Sequence, residues 1–254
     1  MKVLAIWRRE LGAWFCAPLG FVVLGSFLLL AGYFFYSDLV FFALWGGGTR
    51  PTELWRQVFL DLRLLLLLVI PLVTMRLFAE ERKLGTMELL WTYPVTDRAL
   101  VAGKFLAALS LLLLLLAPTL LYPLILRGIL APQPIDVGPV VAGYIGILLL
   151  GTAFTACGMA ASSLTDSQIV SAVLTYGVLL LSWFGTWNEA VAGEGTMQVL
   201  LLLSLFERFY GFASGTIDTR DVVYFVLFTG FFVFLTLRIL QSRLWQDARP
   251  SASG

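Results

Sequence analysis

Long apolar stretches recur along the chain, and they constrain its fold more than any other feature. Each is at least about 20 residues long, enough at 1.5 Å per residue to cross a hydrocarbon layer of ~30 Å. Because 59% of the 254 residues are hydrophobic and 13% are charged, a single soluble core could not bury the apolar surface. We therefore predict an all-α integral membrane protein with six transmembrane helices. The predicted spans run near 16–37, 59–79, 99–126, 137–163, 168–187 and 221–240.

The distribution of positive residues predicts how these spans are oriented. Eleven Lys and Arg residues fall on the side of the N-terminus and six on the other side. The positive-inside rule then places both termini in the cytoplasm. We expect a multi-pass protein of a bacterial-type inner (plasma) membrane. The first apolar run is too long for a cleaved signal peptide, so we expect a retained anchor. One membrane domain covers 1–245, and 246–254 form a short cytoplasmic tail.

Two shorter segments are apolar without being predicted to span. Residues 1–15 carry an apolar stripe at helical spacing, which predicts a helix lying in the membrane interface in contact with lipid. The stripe consists of Leu4, Trp7, Leu11 and Trp14. The stretch 196–206 reaches only about half-way across a bilayer. It predicts a re-entrant segment on the outer side before the last span, with Glu207 and Arg208 at its tip. The alternative is a partly buried loop helix outside the membrane.

The sequence offers little for catalysis or ion coupling. It contains no His, the commonest general base and metal ligand. Ser162 and Ser163 lie near Asp166 without a base to activate them, so we expect a polar helix end. Cys16 and Cys157 fall in apolar stretches and are expected to be buried. We expect no charge at the span centres, no paired carboxylates, no buried lysine, no metal and no cofactor in this chain, and a net charge of +1 predicts no nucleic-acid partner.

The stretch "RLFAEERKLGTMELLWTYPVTDRALVAGK" connects the second and third spans. Residues 76–83 prolong the second span, and Gly85 ends it. A short helix with an apolar surface follows, and Thr96 or Asp97 caps the third span. The short helix comprises Thr86, Met87, Glu88, Leu89, Leu90 and Trp91, and the charges that precede it, expected clear of lipid, are Glu80, Glu81, Arg82 and Lys83. Its chemistry leaves two alternatives open, a docking site for another protein or a helix on the lipid surface.

Two motifs resemble those of a known family. The stretches "PLVTMRLFAEERKLGTMELLWTYPVTDRALVAGKFLA" and "LSLFERFYGFASGTIDTRDVVYF" resemble ABC transporter permeases of the six-span, type-two exporter superfamily, closest to the gliding-motility branch. The resemblance implies that the short helix is a coupling helix that docks in a separate ABC ATP-binding subunit, which binds ATP and Mg. It also implies pairing with a second permease, identical or not. The family commonly has His where this chain has Arg208.

The chain has no nucleotide site of its own. No G-x-x-x-x-G-K-[S/T] motif occurs, so ATP hydrolysis is expected in a partner and this chain is not expected to be an enzyme by itself. We predict the permease subunit of an ATP-driven exporter, which forms the translocation path. The alternatives are a non-transporting anchor that recruits an ATPase to a motility or division machine, and a membrane-integral lipid-modifying enzyme, for which no reactive cluster is found.

Overall fold

The computed structural model describes residues 2–45, 51–85, 96–130, 136–184 and 204–247, and all regular structure within these ranges is helical. The α-helices are α1 (Lys2–Cys16), α2 (Pro18–Trp45), α3 (Pro51–Thr74), α4 (Arg76–Lys83), α5 (Asp97–Leu116), α6 (Leu121–Leu130), α7 (Val137–Leu164), α8 (Gln168–Phe184), α9 (Leu205–Ala213) and α10 (Thr219–Asp247). A 3₁₀ turn, Ala117–Leu120, joins α5 to α6. The predicted all-α membrane class is confirmed.

Five helical stretches of the described chain are long and apolar enough to cross a membrane, and a shorter one, Gln168–Trp183, brings the total to about six. The five are Pro18–Leu44, Glu53–Lys83, Asp97–Gly128, Val137–Leu164 and Thr219–Ser242. Two helices differ most from the predicted bounds: α2 continues to Trp45 rather than ending near 37, and α3 begins at Pro51 rather than near 59. Residues 38–45 contain no Gly or Pro, so nothing local ends the helix there.

Helix α7 lies at the centre of the bundle and contacts α3, α4, α5, α8, α9 and α10. Its small residues allow this close packing. A Cβ added at Gly143 would lie 2.0 Å from the ring of Phe59, and one added at Gly158 would lie 2.0 Å from Thr74 Oγ1. Ala153 is fully buried in the same helix. Small residues of the fourth span therefore lie where this helix packs on its neighbours.

The third span bends at Pro118, within the 3₁₀ turn between α5 and α6. The carbonyl of Thr119 cannot receive the usual helical hydrogen bond because residue 123 is a proline and has no N–H. The Tyr144 hydroxyl of α7 donates to that carbonyl at 2.6 Å, and Thr119 Oγ1 donates to the Leu116 carbonyl at 2.7 Å. Side-chain hydroxyls therefore supply hydrogen-bond donors to the carbonyls at this turn.

Helix α1, α4, the start of α5 and the α7–α8 turn lie together at one end of the bundle, here called the charged end. Trp7 Nε1 donates to Ser110 Oγ of α5 at 2.8 Å, and Ile6 packs directly on Gly103. Leu240, near the end of α10, belongs to the same buried cluster as Ile6 and Phe78. The N-terminal helix and the last part of α10 therefore share this end, while α9 lies at the other.

Candidate functional site

A joint between α3 and α4 sets the direction in which the chain leaves the bundle. Ser162 Oγ of α7 accepts hydrogen bonds from the backbone N–H groups of Phe78 at 3.0 Å and Ala79 at 3.1 Å. It donates to the Met75 carbonyl at 3.0 Å. The first amides of a helix have no partner within it, so Ser162 caps α4 from another span. Residues 76–83 prolong the second span as predicted, since Glu53–Lys83 form one helical stretch, and Ser162 supplies the hydrogen-bond partner at the joint within it.

The residues before the joint favour a bend. Pro71 lies inside the last turn and a half of α3 and removes one helical hydrogen bond. Thr74 Oγ1 donates back to the carbonyl of Ile70 at 2.9 Å, a bond that often bends helices. Gly158 leaves room for Thr74 against α7. Pro71 and Thr74 therefore weaken the helix at the place where Ser162 of α7 supplies a replacement hydrogen-bond partner.

Four charged side chains, Arg9, Glu10, Glu81 and Lys104, form a cluster that joins α1, α4 and α5. We call it the charge cluster. Lys104 Nζ lies 3.0 Å from Glu10 Oε1 and 2.9 Å from Glu81 Oε2. Arg9 Nη2 lies 2.6 Å from Glu81 Oε1 and 2.9 Å from Glu10 Oε1. The expectation of no buried lysine is wrong, because the Lys104 side chain is 1% exposed; α1 and α4 fold over it and supply its carboxylates.

The neighbouring charges of the cluster shift the pKa values of Glu10 and Arg9 towards their ionised forms. Burial alone would raise the pKa of Glu10, but the adjacent Lys104 ammonium and Arg9 guanidinium lower it overall. Burial alone would lower the pKa of Arg9, but Glu10 and Glu81 raise it overall. Two cations and two anions therefore balance at neutral pH. This balance makes a partly buried ionic contact between three helices tolerable.

The other charges of α4 are also mostly engaged. Arg76 donates to Glu80 through two hydrogen bonds, Nε to Oε2 at 2.7 Å and Nη2 to Oε1 at 2.8 Å. Arg82 Nη1 lies 3.8 Å from Asp166 Oδ1 in the α7–α8 turn, and its side chain is 8% exposed. Lys83 is exposed at the end of α4. The sequence alone indicates no partners for these charges; in the structure Arg82 links α4 to the α7–α8 turn, and Arg76 and Glu80 pair within α4.

The chain leaves α4 and enters α5 at the predicted residues. Gly85 has a φ of +67° after the last turn of α4, a conformation that favours glycine. Thr96 Oγ1 accepts from the Ala99 N–H at 3.4 Å and caps α5. The predicted coupling helix, Thr86–Trp91, lies outside the described residues. The segment 86–95 thus begins and ends next to helices that meet in the charge cluster.

The residues of the predicted interfacial stripe occupy different surroundings. Trp14 is buried, Trp7 and Leu11 are half-buried, and Leu4 is exposed. The inner part of the stripe therefore packs on the bundle. The position of α1 at the lipid surface stays a prediction.

Helix α9, at the other end, contains the predicted re-entrant tip. Ser204 caps the helix through the Glu207 N–H, and Phe212 packs directly against Gly146 of α7. Arg208 Nη1 lies 2.7 Å from Asp221 Oδ1 of α10, and its guanidinium lies over the Tyr224 ring at 4.4 Å. Arg208 therefore ties α9 to the last span. Residues 196–203 of the predicted re-entrant segment lie outside the described residues.

Two aspartates that sequence analysis left apart lie together. Asp38 in α2 and Asp61 in α3 lie close enough for their side chains to interact electrostatically. The expectation of no paired carboxylates is therefore wrong. The pair escaped prediction because Asp38 was placed beyond the end of the first span, whereas α2 continues past it. Among the described residues, no nucleophilic side chain is seen to interact with this aspartate pair.

The remaining candidate reactive groups have structural surroundings. Ser163 Oγ donates to the carbonyl of Ala160 at 2.7 Å, and the Ser162 hydroxyl is fully engaged in the joint. Cys157 is buried as expected, but Cys16 is exposed at the end of α1, so that prediction is wrong. Within the described ranges, no group of three or more His, Cys, Asp or Glu residues could hold a metal ion.

Comparison with known proteins agrees with this geometry. A family model described as ABC-2 family transporter protein matches residues 62–240, which include most of α3, all of α4 and α5, and the residues between them. A search of curated proteins finds no match to the chain. Because the family match covers well over half of the sequence, the chain belongs to the ABC-2 family of transporter proteins and is a membrane permease component of an ABC transporter.

Proposed function

We propose that the chain is the permease subunit of an ATP-driven exporter, and that its segment 86–91 docks in a separate ATP-binding subunit. The observation that carries the proposal is the anchoring of that segment. Helix α4 precedes it and α5 follows it, and Glu81 and Lys104 join these helices in the charge cluster. A force applied to the segment therefore reaches the membrane helices without a flexible hinge in the described flanks.

The path of that force runs through three contacts of α4. Glu81 links α4 to α5 through Lys104 and to α1 through Arg9. Ser162 links α4 to α7 at the centre of the bundle. When two ATP-binding subunits close on ATP and Mg, the movement of the docked segment tilts α4, and α1, α5 and α7 follow. A second permease, identical or not, completes the path for the exported molecule.

The proposal also assigns an orientation in which the charged end faces the cytoplasm, and cysteine labelling tests it. In a Cys16→Ser background, Lys83→Cys should react with an impermeant thiol reagent only after cells are opened. Ile217→Cys is the matched site, because Ile217 is exposed near α9 at the opposite end. It should react in intact cells. Labelling of residue 83 from outside would reverse the orientation.

The docking itself is tested by the double variant Leu89→Asp/Leu90→Asp. A docked Leu contributes roughly 1.5–3 kcal/mol of burial, and losing ~3 kcal/mol weakens association more than about a hundredfold. The variant should fold but lose the ATP-binding subunit, measured as subunit stoichiometry and ATP hydrolysis after purification from native membranes. The control pair Leu44→Asp/Ile217→Asp alters two exposed apolar residues at the other end and should retain it. Wild-type stoichiometry in the first variant would refute the docking assignment.

A second measurement separates export from anchoring. The purified complex should hydrolyse ATP faster when a lipid extract from its own membrane is added, because a transported amphipathic molecule would be present there. A stable complex whose ATP hydrolysis does not change on addition of the lipid extract would favour the alternative of a non-transporting anchor. The relation to the gliding-motility branch is part of this proposal and predicts that the partner belongs to that branch as well.

A further inference from the structure

Two adjoining pockets at the charged end have contrasting walls. The first is a groove open to the surface between the α1–α2 corner, α3 and α5, and it is lined only by apolar residues and Gly20. The second is lined by Glu10, Ala13, Trp14, Arg76, Leu77 and Glu80. Trp14 lines both pockets. An apolar groove and a charged pocket therefore meet at one tryptophan.

The shape of the apolar groove suits a hydrocarbon chain. Its outer rim is formed by side chains that the bundle leaves exposed, among them Phe21 and Leu114, so it opens where lipid would lie. At its end a Cβ added to Gly20 would lie 2.4 Å from the Trp14 carbonyl oxygen. Glycine thus allows α1 and α2 to approach closely while the groove beside them stays open.

The charged pocket has walls of both signs. The Arg76 guanidinium lies 5.9 Å from the centroid of the Trp14 ring and is held by Glu80 through two hydrogen bonds. Glu10 contributes a second carboxylate to the pocket. A group with only negative charge would face two carboxylates, and a group with only positive charge would face the guanidinium. A headgroup that carries an ammonium next to a phosphate matches both.

We propose that these pockets together bind one amine-bearing zwitterionic phospholipid of the phosphatidylethanolamine type. One acyl chain fills the groove beside Leu114, the phosphate lies at Arg76, and the ammonium points to Glu80 and Glu10. Trp14 lies between headgroup and chain, the position that tryptophan favours at membrane interfaces. The lipid would fill the angle between α1 and the bundle and so support the helix that carries Arg9 and Glu10 of the charge cluster.

Native mass spectrometry of the purified chain, titrated separately with phosphatidylethanolamine and phosphatidylglycerol, tests the site without requiring transport or an ATP-binding subunit. Phosphatidylethanolamine should bind more tightly. Leu114→Trp, which fills the groove, should weaken that binding about tenfold, since excluding about two methylene groups is sufficient. The control Leu113→Trp alters a neighbouring residue that is exposed and outside the groove and should bind as the wild type does.

A separate variant tests the assignment of the lipid headgroup. Glu80→Gln leaves the groove unchanged but removes one carboxylate, so the preference for phosphatidylethanolamine over phosphatidylglycerol should decrease while total lipid binding persists. Thermal unfolding checks that each variant is folded. Equal binding of the two lipids by the wild type, or equal binding by the Leu113 and Leu114 variants, would overturn the proposal.

Discussion

Replacing Lys104 by Met tests whether the charge cluster holds the charged end together. The substitution keeps a chain of similar length but removes the cation that contacts Glu10 at 3.0 Å and Glu81 at 2.9 Å. At an effective dielectric constant of about 20, each such pair is worth roughly 4 kcal/mol before desolvation is counted. Burying the ammonium offsets several kcal/mol of that gain. The variant nevertheless leaves the two mostly buried carboxylates without the Lys104 ammonium. Removing one partner of a buried ion pair typically lowers stability by about 3–5 kcal/mol.

The free energy of unfolding of Lys104→Met should therefore decrease by about 3–5 kcal/mol, measured by equilibrium unfolding in mixed micelles with tryptophan fluorescence. Lys83→Met is the matched control, because Lys83 is exposed and should change stability by at most about 0.5 kcal/mol. The triple variant Glu10→Gln/Glu81→Gln/Lys104→Met removes the stranded carboxylates as well and should regain much of the loss. A loss below about 1 kcal/mol for Lys104→Met, or a triple variant no more stable than it, would refute the reasoning.

Three further predictions concern the joint, the packing and the pH dependence. Ser162→Ala should lower the free energy of unfolding by about 1–3 kcal/mol, because two α4 amides lose their hydrogen-bond acceptor. Ser163→Ala should lower it less, since the Ser163 hydroxyl donates only within its own helix. Equal losses in the two variants would contradict the capping role of Ser162. Gly158→Ala should lower the free energy of unfolding by about 1–3 kcal/mol, because the added methyl group overpacks against α3. Gly177→Ala is the control, because no neighbouring atom lies within 4 Å of a Cβ added there, and it should leave the unfolding temperature unchanged or raise it. The pKa of Glu10 is lowered in the folded chain from its ordinary value of 4.5. The stability that ionised Glu10 contributes is therefore present above that value and is lost as the pH falls below it. The free energy of unfolding, measured from neutral to acid pH, should fall less steeply in Glu10→Gln than in the wild type.

The sequence predicted the parts of the fold that local physics decides. Apolar runs located the spans, because crossing a bilayer requires a minimum helix length. Gly85 and Thr96 were predicted as boundaries, because a left-handed glycine and a side-chain cap act over only a few residues. Residues 86–91 were assigned by resemblance, and their docking stays a prediction.

The parts that the sequence missed depend on which helices become neighbours. Lys104 was counted among the cytoplasmic charges because nothing in its own helix shows that Glu10 and Glu81 would surround it. Asp38 and Asp61 were separated by the predicted end of the first span. Ser162 was identified only as a polar helix end, since its partners lie more than eighty residues earlier. Pairings of this kind require tertiary information that periodicity and composition do not contain.

Capping by Ser162 also has a consequence for the order in which the chain is made. Ser162 follows the Phe78 amide that it binds by 84 residues, so at about 5–20 residues per second it leaves the ribosome roughly 4–17 s later. During that interval the amides at the start of α4 have no hydroxyl to accept them. We expect α4 to acquire this cap only after the fourth span has inserted, so that the start of the helix that precedes the docking segment is fixed only once the central helix is in the membrane.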